Sequence, residues 1–249
     1  MKIAVLLKRV PDTGVSLRVN PDGTDIVSEG VAFVTNPYDE YALEEAVRIS
    51  ETKGDCEIIA VSIGDASATD VLRNALAVGA HRAVLLKHPD YKWLDPKTAG
   101  EALADFLAEE KPDLVLMGKQ AVDDNAFATG FYLAKKLNYT IAAYAIKIEL
   151  QENSALITRE TDWGTEKVKI ALPGIITCEK GLNEPRLPGL RGIMAAKRKP
   201  IEEKEIQADS LMPRPKLSMP PEKQAGVKVQ EEFPADVDKL MEFLREHML

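Results

Sequence analysis

Short, continuous apolar runs recur along the chain, and each is followed by a stretch whose apolar residues return every third or fourth position. The runs are 3–7, 57–62, 83–86 and 113–117, and the stretches between them are 37–50, 66–78 and 98–110. In the first stretch Leu43, Ala46 and Val47 share one stripe, while Glu40, Glu44, Glu45 and Arg48 cover the rest, as in a helix with one buried face. A run that is apolar throughout fits a strand buried on both faces. Such strands alternating with helices predict right-handed βαβ crossovers. The fold expected is therefore α/β, with a mostly parallel twisted sheet and helices on both faces. Punctuation agrees: Asn36-Pro37 opens the first helix, Ile63-Gly64 ends the second strand and Gly79 stops the second helix. Residues 17–20 and 25–27 flank Pro21-Asp22-Gly23, which predicts a hairpin.

The pattern changes after residue 140. Segments 141–150, 155–159 and 167–172 read as longer strands forming an antiparallel portion, with one more apolar strand at 174–178. From Gly181 onward Arg186, Arg191, Lys197, Arg198 and Lys199 gather among Pro185, Pro188, Gly189 and Gly192, with Leu187, Leu190 and Ile193 between the charges. Leucines on a basic, irregular loop fit a docking element in which apolar side chains anchor and charges steer. A solvated loop with its leucines tucked beneath it is the plain alternative. Then follow Met212-Pro213-Arg214-Pro215 and Met219-Pro220-Pro221, which favour extended backbone. A last helix, 235–248, places Val237, Leu240, Met241 and Leu244 on one face. That face needs cover, from a partner subunit or from the chain's own body. The chain thus divides into an α/β domain (1–185), a docking loop with the basic segment after it (186–199), and an extended arm with a terminal helix (200–249).

A length of 249 residues suits one large domain plus an arm. The net charge of −8 argues against a nucleic-acid partner, because phosphate binding wants clustered Lys and Arg. No apolar run approaches the ~18 residues of a membrane span, so no membrane insertion is expected. The apolar amino terminus is too short for a signal core and lacks a small-residue cleavage site, which makes the cytoplasm the expected compartment. Cys56 and Cys178 each lie inside an apolar run and are expected as buried free thiols. His81, His88 and His247 are scattered and suggest no metal site.

The chemistry concentrates at 118–130. Gly118-Lys119-Gln120 ends a strand, and Asp123-Asp124-Asn125 precede the next helix. In parallel sheets ligands sit at the carboxyl ends of strands. Gly118 permits close backbone approach, and the amides at the following helix start would face an anion. Thr129 would add a hydroxyl, and Asp123 would accept from a ribose. The loop therefore suits a nucleotide phosphate. An equally economical reading is a strand-to-helix turn capped by Asp123 or Asp124. No Gly-Lys-Ser/Thr follows, so phosphoryl transfer finds no support, and no GxGxxG follows the first strand. Asn36-Pro37-Tyr38-Asp39 is explained as a helix start and also as backbone that meets a nucleotide. Glu160 and Asp162 read as charges of a surface strand. No Ser/His/Asp or Cys/His set stands out for nucleophilic catalysis.

Several stretches, taken in order, resemble one family: Val5-Leu6-Leu7-Lys8-Arg9-Val10, Asn36-Pro37-Tyr38-Asp39, Glu44-Glu45-Ala46, Ala60-Val61-Ser62-Ile63-Gly64, Gly79-Ala80-His81-Arg82-Ala83, Gly118-Lys119-Gln120-Ala121, Leu182-Asn183-Glu184-Pro185-Arg186 and Ala225-Gly226-Val227-Lys228-Val229. Together they are similar to the β (small) subunit of the electron transfer flavoprotein family, over nearly the whole chain. The resemblance implies a Rossmann-like, adenine-nucleotide-binding α/β fold and an electron carrier, not an enzyme that releases a product. It implies pairing with an α subunit that holds most of an FAD. It also implies docking to flavin-containing dehydrogenases and delivery to a quinone reductase or another acceptor. It implies a structural AMP in this chain, at Leu6, Asn36, Pro37, Tyr38, Asp39, Ile63 and the loop Gly118, Lys119, Gln120, Ala121, Val122, Asp123, Asp124, Asn125, Ala126, Phe127, Ala128 and Thr129. Asp12 and Thr13 would approach the flavin edge. The family's recognition loop falls on about 186–195, with Arg186, Leu187, Gly189, Leu190, Arg191 and Ile193 as docking residues and Leu190 as anchor. Glu160 would latch the mobile flavin domain, and the terminal arm would pack on the α subunit.

Departures from the family pattern leave two other readings. Relatives that bifurcate electrons from NADH hold a second FAD in place of AMP. Their loop carries a Gly where Asp124 stands and lacks Phe127, although Val10-Pro11-Asp12-Thr13 is common among them. A non-redox adenylate-binding module is the third reading. Trp163 replaces a usual Gly, and Ala195 a frequent Lys.

Overall fold

The computed structural model describes residues 1–248 apart from Gln224, Val227 and Glu231. Val227 of the Ala225–Val229 motif and Leu249 at the end of the arm therefore lie outside the described residues. In chain order the elements are β1 (Lys2–Leu6), β2 (Arg9–Pro11), β3 (Phe33–Thr35), α1 (Pro37–Lys53), β4 (Glu57–Gly64), α2 (Thr69–Val78), β5 (Arg82–Lys87), α3 (Pro96–Glu110), β6 (Leu114–Gly118), α4 (Thr129–Leu137), β7 (Thr140–Leu150), β8 (Ser154–Thr161), β9 (Gly164–Ala171), β10 (Gly174–Cys178), α5 (Leu190–Ala196), β11 (Glu202–Glu205) and α6 (Ala235–Met248).

Nine strands form one sheet in the order β11-β5-β4-β1-β6-β10-β7-β8-β9, and β2 and β3 pair separately as a small antiparallel ribbon. The pairings from β11 to β7 are parallel, and β8 and β9 continue antiparallel. The fold is the expected α/β class. The chain builds outward from β1 through β4 to β5, then returns to add β6 on the other side of β1. That reversal opens a crevice at the carboxyl ends of the strands, where parallel sheets bind ligands.

Alternation along β1 assigns the two faces. Ile3 and Val5 pack with Leu43, Ala46 and Val47 of α1 and Leu72 and Leu76 of α2, while Ala4 and Leu6 pack with Leu103 and Leu107 of α3 and Leu133 of α4. Ile3, Ala4 and Val5 have no exposed surface. Both thiols, Cys56 and Cys178, are buried and free, as expected.

The expected hairpin at 17–27 forms as a short antiparallel pairing, with a bridge between Val19 and Ile26, Asn20 N donating to Asp25 O at 2.9 Å and Val27 N to Arg18 O at 2.8 Å. The Asn20 side chain takes the amides of Thr24 and Asp25 and shapes the turn. Three local readings need correction. The segment after Gly189 is not irregular, since α5 forms there. Gly192 lets it pack so closely on α2 that a Cβ would stand 2.2 Å from the Ala77 carbonyl oxygen. Arg73 fixes its end by donating to the carbonyls of Ala196 and Lys199, the latter at 2.6 Å. Asp162 is not in a strand beside Glu160 but in the β8–β9 turn, next to Trp163, which is 97% exposed. The arm begins as a strand: β11 pairs with β5, and Arg82 donates to both Glu202 and Glu110.

Asp95 ties the arm to the sheet layer. Its carboxylate caps α3 by accepting from the amides of Lys97 and Thr98, both at 3.0 Å, and it also accepts from Leu211 N at 2.7 Å. Burial alone would raise this carboxyl, but these donors hold it well below the usual range. Asp95→Ala is expected to lower stability by about 1–2 kcal/mol. It should also speed proteolytic cleavage within 211–221, measured by denaturant unfolding and a timed digest.

Candidate functional site

Asp39, in the first turn of α1, is buried and holds three segments together. Its Oδ2 accepts from the Lys8 amide at 2.7 Å, just past β1, and its Oδ1 accepts from the Gly118 amide at 2.9 Å, at the end of β6. Asn36 Nδ2 donates to the same Oδ1 at 2.9 Å. Burial pushes the Asp39 carboxyl up to about 7, against the lowering effect of the Asn36, Lys8 and Gly118 donors. Gly118 has no alternative here, because a Cβ would lie 2.4 Å from Asp39 Oδ1 and 2.6 Å from Tyr38 Cβ.

Asn36 precedes Pro37 at the helix start as expected, but its side chain does not cap α1. It reaches across to the loop instead, donating to Gln120 O at 2.8 Å and accepting from Val122 N at 3.1 Å. Fully buried, it spends both amide donors and its carbonyl on this junction. The two motifs, 36–39 and 118–122, are thus one structural unit.

The loop 118–128 is shaped by charge. Lys8 Nζ lies 2.8 Å from both Asp123 and Asp124. Burial pulls this ammonium down, yet the two carboxylates hold it above its ordinary value. Neither Asp123 nor Asp124 caps α4: the cap position is Ala128, with no side-chain bond. Lys119 pairs with Glu179 and lies 4.8 Å from the centre of the Tyr38 ring, with the Phe127 and Tyr144 rings at about 6 Å. Asn125 and Phe127 adopt φ of +49° and +60°, left-handed backbone of the sort found in anion-binding turns. Among the described residues, the amides of Phe127, Ala128, Thr129 and Gly130 donate to no protein acceptor.

The residues that carry these amides line a crevice at the ends of β1, β4 and β6. Its floor is apolar (Leu6, Val61, Ile63, Met117), and its far wall comes from Tyr91, Leu94 and Pro96 before and within α3. Of the expected nucleotide residues, Leu6, Asp39, Ile63, 118–121, Asp124 and 126–129 line it; Asn36, Pro37, Tyr38, Val122, Asp123 and Asn125 frame it from behind. Lys8, Tyr91 and Lys92 line it as well and were not singled out as site residues. For Lys8 a signal existed, its place directly after the first strand. For Tyr91 and Lys92 none did, since they sit in a single 3-10 turn, Tyr91–Trp93, between β5 and α3.

The remaining expected residues lie elsewhere. Asp12 and Thr13 follow β2 in a turn where Asp12 Oδ1 accepts from Gly14 N at 2.9 Å. Glu160 is exposed near the end of β8. Arg186 does not face outward: its guanidinium grips Glu44 and Glu51 of α1, with Nε 2.8 Å from Glu44 Oε2. Leu187 and Leu190 are 90% and 76% exposed, with Ile193 partly so. Gly189 takes the cap position of α5, and Arg191 is exposed on that helix.

Two outcomes are expected from the Asp39 junction. Gly118→Ala should destabilise the protein by about 1–3 kcal/mol, the cost of forcing a methyl into a filled space, read by denaturant titration. An unfolded Asp releases its proton near 3.8, whereas folded Asp39 holds it to about 7. The native state therefore binds more protons across that window, and Asp39's contribution to stability falls as pH rises through it. Unfolding curves at pH 5 and 8 should show this loss in the wild type and a smaller one in Asp39→Asn.

A family profile described as "Electron transfer flavoprotein domain" matches residues 24–209. Among curated proteins, the chain is similar to electron transfer flavoprotein subunit beta of Bradyrhizobium diazoefficiens, 39% identical over 93% of this chain and 94% of the relative. The human protein of the same name is 38% identical over 92% and 93%, and that of Dictyostelium discoideum 35% over 100% and 99%. A doubly wound sheet with a lined crevice at its switch point, a profile match across most of the chain and near-full-length relatives agree: the chain belongs to the electron transfer flavoprotein family, in its β-subunit branch.

Proposed function

We propose that this chain pairs with an α subunit holding most of an FAD, and that the pair carries electrons from flavin-containing dehydrogenases to a quinone reductase or another acceptor. We further propose a structural AMP in the crevice. The observation that carries the nucleotide assignment is the run of unpartnered amides, 127–130, beside an apolar floor. Such amides suit a phosphate, and Leu6, Val61 and Ile63 suit a purine face. Tyr38, whose ring meets Lys119, belongs to the frame and not to the lining. The FAD would supply one-electron chemistry from the other subunit. This chain's contributions would be to dock, through Leu187 and Leu190, and to latch the flavin domain, through Glu160, with Asp12 and Thr13 near the flavin edge. The apolar face of α6, with Val237, Leu240 and Met241 exposed, supports a subunit partner. Among the described residues no helix is long and apolar enough to cross a membrane.

Co-expression with the α subunit, followed by denaturation and chromatography, should release one FAD and one AMP per heterodimer. Two FAD and no AMP would replace this reading with electron bifurcation from NADH. A colourless product carrying only adenylate would favour a non-redox module. Leu190→Ala should reduce kcat/KM with the cognate dehydrogenase about tenfold or more, as for a buried interface anchor, while leaving the bound nucleotides unchanged. Undiminished transfer would sink the anchor assignment.

A further inference from the structure

Three lysines line the crevice: Lys8, Lys92 and Lys119. Each already faces a carboxylate of this chain. Lys8 meets Asp123 and Asp124 at 2.8 Å, Lys92 meets Asp25 at 2.9 Å, and Lys119 meets Glu179. Asp124 and the buried Asp39 are themselves part of the lining. No arginine is among the lining residues. Among the described residues, the lining backbone amides without a protein acceptor are uncharged donors and include those of Gln120, Ala121 and Asp124 besides 127–130.

This arrangement differs in kind from a polyphosphate site. Walker-type loops add a free lysine for the outer phosphates. Here the free donors are neutral amides, and every lining ammonium is already paired with a carboxylate. A β- or γ-phosphate would raise the charge beside Asp124 and find each ammonium engaged. Recruiting Lys8 would strip two carboxylates of their counter-ion and leave them facing the newcomer, a like-charge contact that costs most in a partly buried cleft.

We propose that Asp123 and Asp124, by holding Lys8, are specificity-determining residues that make the crevice select a nucleoside monophosphate over di- and triphosphates by charge. The inference rests on the adenine-nucleotide reading above and adds a mechanism of discrimination to it. Asp124 lines the cleft and acts directly, and Asp123 acts through Lys8. The discrimination is electrostatic, so it should be lost when the acids are replaced by their amides, which keep the side chains' size.

The test uses the heterodimer, unfolded and refolded in an equimolar mixture of AMP, ADP and ATP, with bound nucleotides then released and quantified. Wild type should retain AMP over ADP by about tenfold or more. Asp124→Asn, and Asp123→Asn with it, should bring that ratio close to unity while the flavin spectrum stays the same. Should the double variant fail to refold, Asp124→Asn alone and the wild type at two ionic strengths decide the matter. A charge filter weakens between about 0.05 and about 0.5 M salt, and a steric one does not. Equal uptake of the three nucleotides by wild type, or an unchanged ratio in the variants together with salt-independent selectivity, overturns the charge filter and leaves the adenylate assignment standing. Absence of any adenine nucleotide in wild type overturns both.

Discussion

One buried carboxyl organises the crevice side of this protein. Asp39 ties together the end of β1, the start of α1 and the end of β6 through bonds to Lys8 N, Asn36 Nδ2 and Gly118 N. Without it three backbone or amide donors would lie in a dry junction with no acceptor, a state costing more than any of those bonds contributes when made. The contact also explains why β6 must end in glycine and why α1 begins where it does. The crevice is the space left when strands of opposite winding direction are held at this distance.

The charges around that junction serve shape before they serve a ligand. Lys8 draws Asp123 and Asp124 towards β1, and the loop then has to pass through positive φ at Asn125 and Phe127 before α4 can start. The Phe127 ring meets Tyr144, itself at φ +64°, with centroids 4.9 Å apart. Left-handed backbone at aromatic residues is costly and persists where surroundings impose it. Here the ion pairs on one side and the ring contact on the other supply that imposition. The residues that carry the free amides line the crevice as a result.

Much of this was legible in the sequence, and the limits have physical causes. Apolar runs located the core strands to within a residue or two, because burial on both faces leaves a continuous signal. Asn36, Asp39 and Gly118 were legible as a helix start and a strand end, but not as one junction. Nothing local says that residues separated by about eighty positions share hydrogen bonds. The choice between a capped turn and a ligand loop at 118–130 stayed open for a related reason: Asp123 and Asp124 have the right chemistry to cap α4, and Lys8, far away in sequence, takes them. β11 was invisible because Glu202–Glu205 is charged throughout. Its pairing depends on the free edge of β5 and the Arg82 fork, not on its own pattern. The order in α5 likewise comes from Gly192 lying on Ala77, a tertiary contact that no local propensity announces.

The segment bearing Leu187 and Leu190 leaves the sheet at β10, near its middle, and rejoins it at β11, its outer edge. On the way it is fastened twice, by Arg186 to α1, and by Arg73 of α2 together with Lys199, which donates to Ala80 just past that helix. It behaves as a span pinned at both abutments, with its apolar side chains standing on the deck. The ordering entropy of that span is lost once, when the chain folds, and not again at each encounter. A surface prepared in this way can release as readily as it binds, since no disorder waits to be restored or removed. For a carrier of the kind proposed, which would meet one protein and then leave it for another, a stiff and modest foothold would serve turnover better than a tight one.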